Sequence, residues 1–117
     1  MWYKGIVLTG EQTGRTIGFP TVNLDPSIIP PDTRKGVYGA RVKHKDTAYM
    51  GALYYGPRLV KNETHDVLEI HIIGFAKEIY GEEIEFQIEK YIRGVLNFIS
   101  MELLKKQLQE DVSSILH

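Results

Sequence analysis

The sequence predicts a mainly β domain, a small antiparallel barrel finished by one C-terminal helix. Three observations predict it. Short apolar runs recur between turn signals from residue 37 to residue 92. In the last run Ile84, Phe86 and Ile88 alternate with Glu83, Glu85, Gln87 and Glu89, the period of a strand with one buried and one solvated face. A helical stripe occurs only near the C-terminus: Met101, Leu104, Leu108, Val112 and Ile115 recur at spacings of three and four. Five or six short strands would expose two sheet edges, and closure into a barrel removes them.

The elements follow in order. Residues 2–9, with Ile6, Val7 and Leu8, read as a first strand. Residues 10–35 are rich in Gly, Pro, Asp and Thr and read as a long loop, a kind of segment that is usually functional in a small domain. Pro30-Pro31-Asp32 marks a turn within it. Strands are expected over 37–42 and 47–55, joined by a tight polar turn at His44-Lys45-Asp46. Residues 57–66 read as a polar loop, 67–75 as a strand, Tyr80-Gly81-Glu82 as a turn and 83–92 as a further strand. Ser100 is a good N-cap for the helix, and Glu102 in the first turn complements its dipole. Ile99 and Leu104 are spaced as a hydrophobic staple.

Composition narrows the function classes. The 117 residues suit a single domain spanning 1–117. Hydrophobic residues make up 43% and charged residues 25%, ordinary for a soluble globular chain. The formal net charge of -1 lacks the basic footprint of a general nucleic-acid binder. There is no cysteine, so disulfides, thiolate catalysis and thiolate-bound zinc are excluded. No apolar run is long enough to span a membrane, and the N-terminus does not read as a signal peptide, so a cytoplasmic monomer is expected. His44, His65 and His117 read as surface residues and form no metal cluster.

The chemistry concentrates in the first loop. Gly10, Gly14 and Gly18 let backbone N–H groups approach phosphate oxygens, and Arg15 adds a charged fork. Thr21 and Asn23 are two apart, so an extended backbone turns both to one side. Their hydroxyl and amide oxygens are hard ligands suited to Mg²⁺, which takes few protein ligands alongside phosphates and water. Pro20 stiffens the chain just before them. A plain glycine-rich turn with local Thr and Asn hydrogen bonds explains the same residues. The Gly-Lys-Ser/Thr ending of a P-loop and the dinucleotide Gly-x-Gly-x-x-Gly are both absent.

Gly14-Arg15-Thr16-Ile17-Gly18-Phe19-Pro20-Thr21-Val22-Asn23-Leu24 closely resembles the signature of the riboflavin kinases. Gly36-Val37-Tyr38, Leu68-Glu69-Ile70-His71-Ile72, Tyr80-Gly81, Ile92-Arg93 with Phe98, and the segment from Glu102 to Asp111 resemble further family segments, in family order. The resemblance implies a six-stranded antiparallel Greek-key barrel with a C-terminal helix. It also implies transfer of the ATP γ-phosphate to the 5′-hydroxyl of riboflavin, giving FMN. The length fits the kinase module alone, without the adenylyltransferase domain fused to it in many bacteria. By resemblance, the Gly10–Gly18 loop wraps the nucleotide phosphates, Thr21 and Asn23 hold Mg²⁺, Tyr80 lines the nucleotide pocket, and Arg93 contacts the flavin. Glu69 then stands as the catalytic base. Its apolar neighbours Leu68 and Ile70 would desolvate the carboxylate and strengthen it as a base.

Each role has a plainer reading. Glu69 can be a solvated outer-face residue paired with His71, Arg93 a strand-end cation, and Tyr80 a turn-packing side chain. Tyr91 and Phe98 read as core. The chain also departs from the family pattern: Tyr54 stands where Asn is usual, Leu59-Val60 where Pro-Thr is usual, and Val95 where a carboxylate follows the Arg. Those departures motivate an alternative, a flavin-binding module that turns over poorly or not at all. A small protein-interaction barrel is a third reading, and it leaves Thr21 and Asn23 beside three glycines unexplained.

Overall fold

Alternation becomes pairing in the computed structural model, which describes residues 1–9, 21–60, 63–75, 77–95 and 101–116. Among these residues lie strands β1 (Tyr3–Ile6), β2 (Val22–Leu24), β3 (Gly36–His44), β4 (Thr47–Val60), β5 (Glu63–Ile72) and β6 (Glu83–Arg93), and the helix α1 (Met101–Leu116). All neighbouring strands are antiparallel, in the order β1-β6-β3-β4-β5-β2. The two edge strands then meet: Leu8 bridges to Asn23, its N–H donating to the Asn23 carbonyl at 2.7 Å. The result is the nearly closed six-stranded barrel with a C-terminal helix that the sequence predicts.

Period-2 alternation decides the interior. Tyr38, Ala40 and Val42 of β3 point inward, with Leu53 and Tyr55 of β4, Leu68, Ile70 and Ile72 of β5, and Ile84 and Phe86 of β6. Val7, Leu24, Ile29 and Ile79 complete the core. Gly36 opens β3 at φ 151°, where a Cβ would sit 2.2 Å from the Arg93 carbonyl oxygen, so this close crossing of β3 and β6 admits no side chain. The helix lies over the outer face: at Gly39 the missing Cβ leaves room for Ile115, whose Cγ1 is 3.5 Å from that position. Leu108, Val112 and Ile115 of the expected stripe are half-buried. Ile99 and Ser100 lie outside the described residues. No helix among the described residues is long and apolar enough to cross a membrane.

Three expectations need correction. The polar segment 57–66 is not a loop at its ends. β4 and β5 stay paired from Gly56 opposite Val67 to Val60 opposite Glu63. This ribbon runs past Gly36, the first residue of β3, so Pro57 falls where β4 has one paired edge, a position that tolerates proline. Polarity here reports exposure, not loss of pairing. The long segment 10–35 contains β2 and a 3-10 turn at Pro26–Ile28, capped by Asp25 accepting from the Ser27 N–H at 2.9 Å and its hydroxyl at 2.7 Å. These two bonds hold the Asp25 carboxyl below the ordinary aspartate range. A three-residue strand held by distant β5 has no local periodic signal.

His44 is the third correction. It continues the inward parity of Tyr38, Ala40 and Val42 and is buried. Its ring centroid lies 5.3 Å from that of Phe75, and its Nε2 lies 2.8 Å from Glu82 Oε1. His65 is exposed as expected, and His117 lies outside the described residues. The His44 hydrogen bond holds the Glu82 carboxyl below the usual glutamate range, with Lys45 adding to the effect. A depressed folded pKa stabilises the fold above the unfolded value and loses that contribution as pH falls through the folded one. Glu82→Gln therefore lowers the melting temperature at neutral pH. The gap to the unaltered protein closes as pH drops below the unfolded glutamate value of about 4.3. Thermal melts across pH check this, and a gap that persists in acid contradicts it.

Candidate active site

One row of cross-strand neighbours organises the site. Asn23 of β2 stands opposite Glu69 of β5, and Glu69 opposite Tyr54 of β4. Tyr54 stands opposite Val37 of β3, and Val37 opposite Arg93 of β6. Directly opposed residues share a face, with Cβ atoms about 4.5–5.5 Å apart. Their chain neighbours Leu24, Leu68, Ile70, Leu53 and Tyr55 fill the core, so Asn23, Glu69 and Tyr54 face outward.

Glu69 is nevertheless only 8% exposed. Parity alone describes a solvated outer-face carboxylate, whereas the fold covers that face. A carboxylate held this way is shielded from bulk water and stands next to an amide side chain.

Of the residues expected on the nucleotide side, Thr21 and Tyr80 are described, and both lie toward the Asn23 end. Thr21 is half-buried and immediately precedes β2. The chain therefore leaves Leu8 and comes back at Thr21 beside the same bridge. Gly10, Gly14, Arg15 and Gly18 lie between, outside the described residues. The Tyr80 turn is tied to the same corner. Gly81 N–H donates to the Val7 carbonyl at 2.8 Å, and Val7 N–H to the Glu82 carbonyl at 2.9 Å. Gly81 at φ 81° makes this turn possible, since a side chain there is strained. Tyr80 is partly exposed. The backbone thus lines up the Tyr80 turn, Leu8, Asn23 and Glu69, although they come from four parts of the chain.

Arg93 is fastened to the helix. Its Nε and Nη2 donate to the two carboxylate oxygens of Asp111 at 2.9 and 2.8 Å, and its Nη1 donates to the Gly94 carbonyl at 2.9 Å. Gln107 Nε2 donates to the same carboxylate at 3.0 Å. Asp111 is 2% exposed. Sequence reasoning missed this bidentate pair. The available signal was a carboxylate, Asp111, between Glu110 and the apolar stripe position Val112, one turn after Gln107.

The oxygen donors fit a hard divalent cation. Among the described residues no three His, Asp or Glu side chains converge on a metal site. The hydroxyl of Thr21 and the amide oxygen of Asn23 remain as neutral donors, which suits a cation whose other ligands are phosphates and water.

Comparison with known proteins decides the family. The sequence model described as Flavokinase, riboflavin kinase, matches residues 1–117. The chain belongs to the riboflavin kinase family. It is 38% identical over 112 residues to the RNA-binding riboflavin kinase RibR of Bacillus subtilis, covering 95% of this chain and 48% of that one. It is 36% identical over 113 residues to the bifunctional riboflavin kinase/FMN adenylyltransferase of Haemophilus influenzae, covering 94% of this chain and 36% of that one. The chain thus spans between a third and a half of the length of these relatives. A solved structure described as a macrolide-efflux protein from Streptococcus pneumoniae superposes with TM-score 0.83 at 28% identity, over 99% of this chain and 38% of that one. A riboflavin kinase from Trypanosoma brucei superposes with TM-score 0.64 at 20% identity, over 97% of this chain and 76% of that one, a likeness of fold.

Proposed function

We propose that this domain transfers the γ-phosphoryl group of ATP to the 5′-hydroxyl of riboflavin, with Mg²⁺, giving FMN and ADP. The single observation that carries this reading, given the family, is the outward-facing row in which a shielded carboxylate, Glu69, stands between Asn23 and Tyr54. Phosphoryl transfer needs little covalent work from the protein and depends on positioning and charge neutralisation.

The residues divide the task. The Glu69 carboxylate accepts the 5′-hydroxyl proton as that oxygen bonds to the γ-phosphorus. The bond to the β,γ-bridging oxygen breaks, and ADP leaves with that oxygen. General-base help of this kind contributes about 10²–10⁴ in rate. Thr21 and Asn23 would hold the Mg²⁺, which neutralises phosphate charge when bound. Gly10, Gly14, Arg15 and Gly18 wrap the phosphates, and Tyr80 flanks the nucleotide on the Leu8 side. Among the described residues Arg93 bonds to Asp111 and Gly94 with one N–H of each terminal nitrogen, and its second N–H groups would serve the flavin or its new phosphate.

The direct test mixes the protein with riboflavin, ATP and Mg²⁺ and separates the flavins by chromatography. FMN forms, and it stops when either ATP or Mg²⁺ is withheld. Riboflavin binding without FMN would overturn the kinase reading.

A further inference from the structure

Two side chains meet over Gly56. A Cβ there would lie 3.0 Å from Tyr54 Oη, 3.2 Å from Tyr54 Cζ and 3.2 Å from Val95 Cγ2. The Tyr54 side chain is therefore folded along β4 above Gly56, its hydroxyl donating to the Pro57 carbonyl at 2.7 Å. That bond engages the phenol proton. Val95 is 36% exposed and brings an apolar group to the same spot. Tyr54 lies in β4, and Val95 follows the end of β6. They lie 41 residues apart in the chain and share one contact point in the fold.

The row of strands gives this pair a side. Asn23 and the Leu8 bridge, where residues 10–20 leave and return, flank Glu69 on one side. Tyr54 flanks it on the other. In phosphoryl transfer the attacking and leaving oxygens lie roughly in line on opposite sides of phosphorus. If the nucleotide occupies the Asn23 side, the alcohol approaches from the Tyr54 side. Tyr54, Val95 and the glycine beneath them then offer that alcohol an apolar, partly aromatic surface next to the base.

We propose that Tyr54, backed by Val95 over Gly56, is the specificity-determining wall of the acceptor side, selecting an alcohol that carries a flat aromatic ring. The inference rests on the kinase reading above. Aromatic rings recognise one another through offset or edge contacts over a large apolar area. A wall of this kind acts on acceptor affinity and leaves the nucleotide side untouched.

The test measures riboflavin KM, ATP KM and kcat for Tyr54→Phe, Tyr54→Asn and Val95→Glu, with melting temperature as the check of folding. Tyr54→Asn removes the ring and raises riboflavin KM by about tenfold, the usual scale for losing an apolar pocket contact. Val95→Glu raises it in the same direction. Tyr54→Phe keeps the ring and stays close to the unaltered protein. ATP KM does not move in any of the three. Unchanged riboflavin KM in Tyr54→Asn overturns the proposal. A Tyr54→Phe as impaired as Tyr54→Asn assigns the effect to the Pro57 tether and overturns the wall. A rise in ATP KM equal to that for riboflavin puts Tyr54 on the nucleotide side and overturns it too. Absence of FMN with the unaltered protein is a separate result, since it removes the kinase reading itself.

Discussion

Glu69→Gln lowers kcat for FMN formation by about 10²–10⁴-fold, the contribution of a positioned general base. The amide keeps the shape of the side chain and its place between Asn23 and Tyr54, so the barrel and nucleotide binding persist. What it loses is the ability to take the hydroxyl proton. The position makes the effect specific: Glu69 sits on the outward face of β5, yet it is buried, and its opposed neighbours are Asn23, the expected metal ligand, and Tyr54, the proposed acceptor wall. Initial rates at saturating riboflavin and ATP, with the melting curve recorded in parallel, check the prediction. Turnover near that of the unaltered protein would move the base to another residue while leaving the family unaffected.

Asp111→Ala destabilises the domain by about 3 kcal/mol, because it leaves the Arg93 guanidinium largely buried without its carboxylate. The Arg93 side chain is 16% exposed and Asp111 2%. Among the described residues no buried side-chain nitrogen or oxygen lacks a partner, so this pair is fully satisfied and its disruption creates a defect that was not there. For a domain of this size such a loss lowers the melting temperature by about 10 °C. Replacing both partners, as Arg93→Met with Asp111→Leu, costs less than Asp111→Ala alone, since no charge is stranded. Thermal and urea melts of the three proteins check this. An Asp111→Ala protein as stable as the unaltered one would show that the pair does not hold α1 to the barrel. Arg93 is joined to Glu69 through the cross-strand neighbours Val37 and Tyr54, so the loss of Asp111 also frees its side chain at the end of that row.

Much of the fold was legible because strand alternation is a local property. Ile84 and Phe86 are inward, as their spacing predicts, and the stripe of α1 faces the barrel at Ile115. β2 was not legible, because three residues carry no period and their pairing comes from β5, more than forty residues away. The extension of β4 and β5 through 57–60 and 63–66 was hidden by polar composition, which tracks solvent rather than hydrogen bonding. His44 was misread for a related reason. A histidine looks like surface until strand parity turns it inward, and then Glu82 and Phe75 supply what a buried imidazole needs.

For the site, the sequence by itself determined the residue types and their order: the glycine-rich segment with Thr21 and Asn23, the carboxylate of Glu69, and the family signature that joins them. Such motifs are read along the chain, so distance in space does not blur them. Only the tertiary structure decided that Asn23, Glu69 and Tyr54 form one row, that Glu69 is shielded on an outward face, and that Arg93 is held by Asp111. It alone brings Tyr54 and Val95 together over Gly56. The physical reason is register. Which residues stand opposite one another is set by strand pairing across long loops, and no local pattern in the chain encodes that alignment.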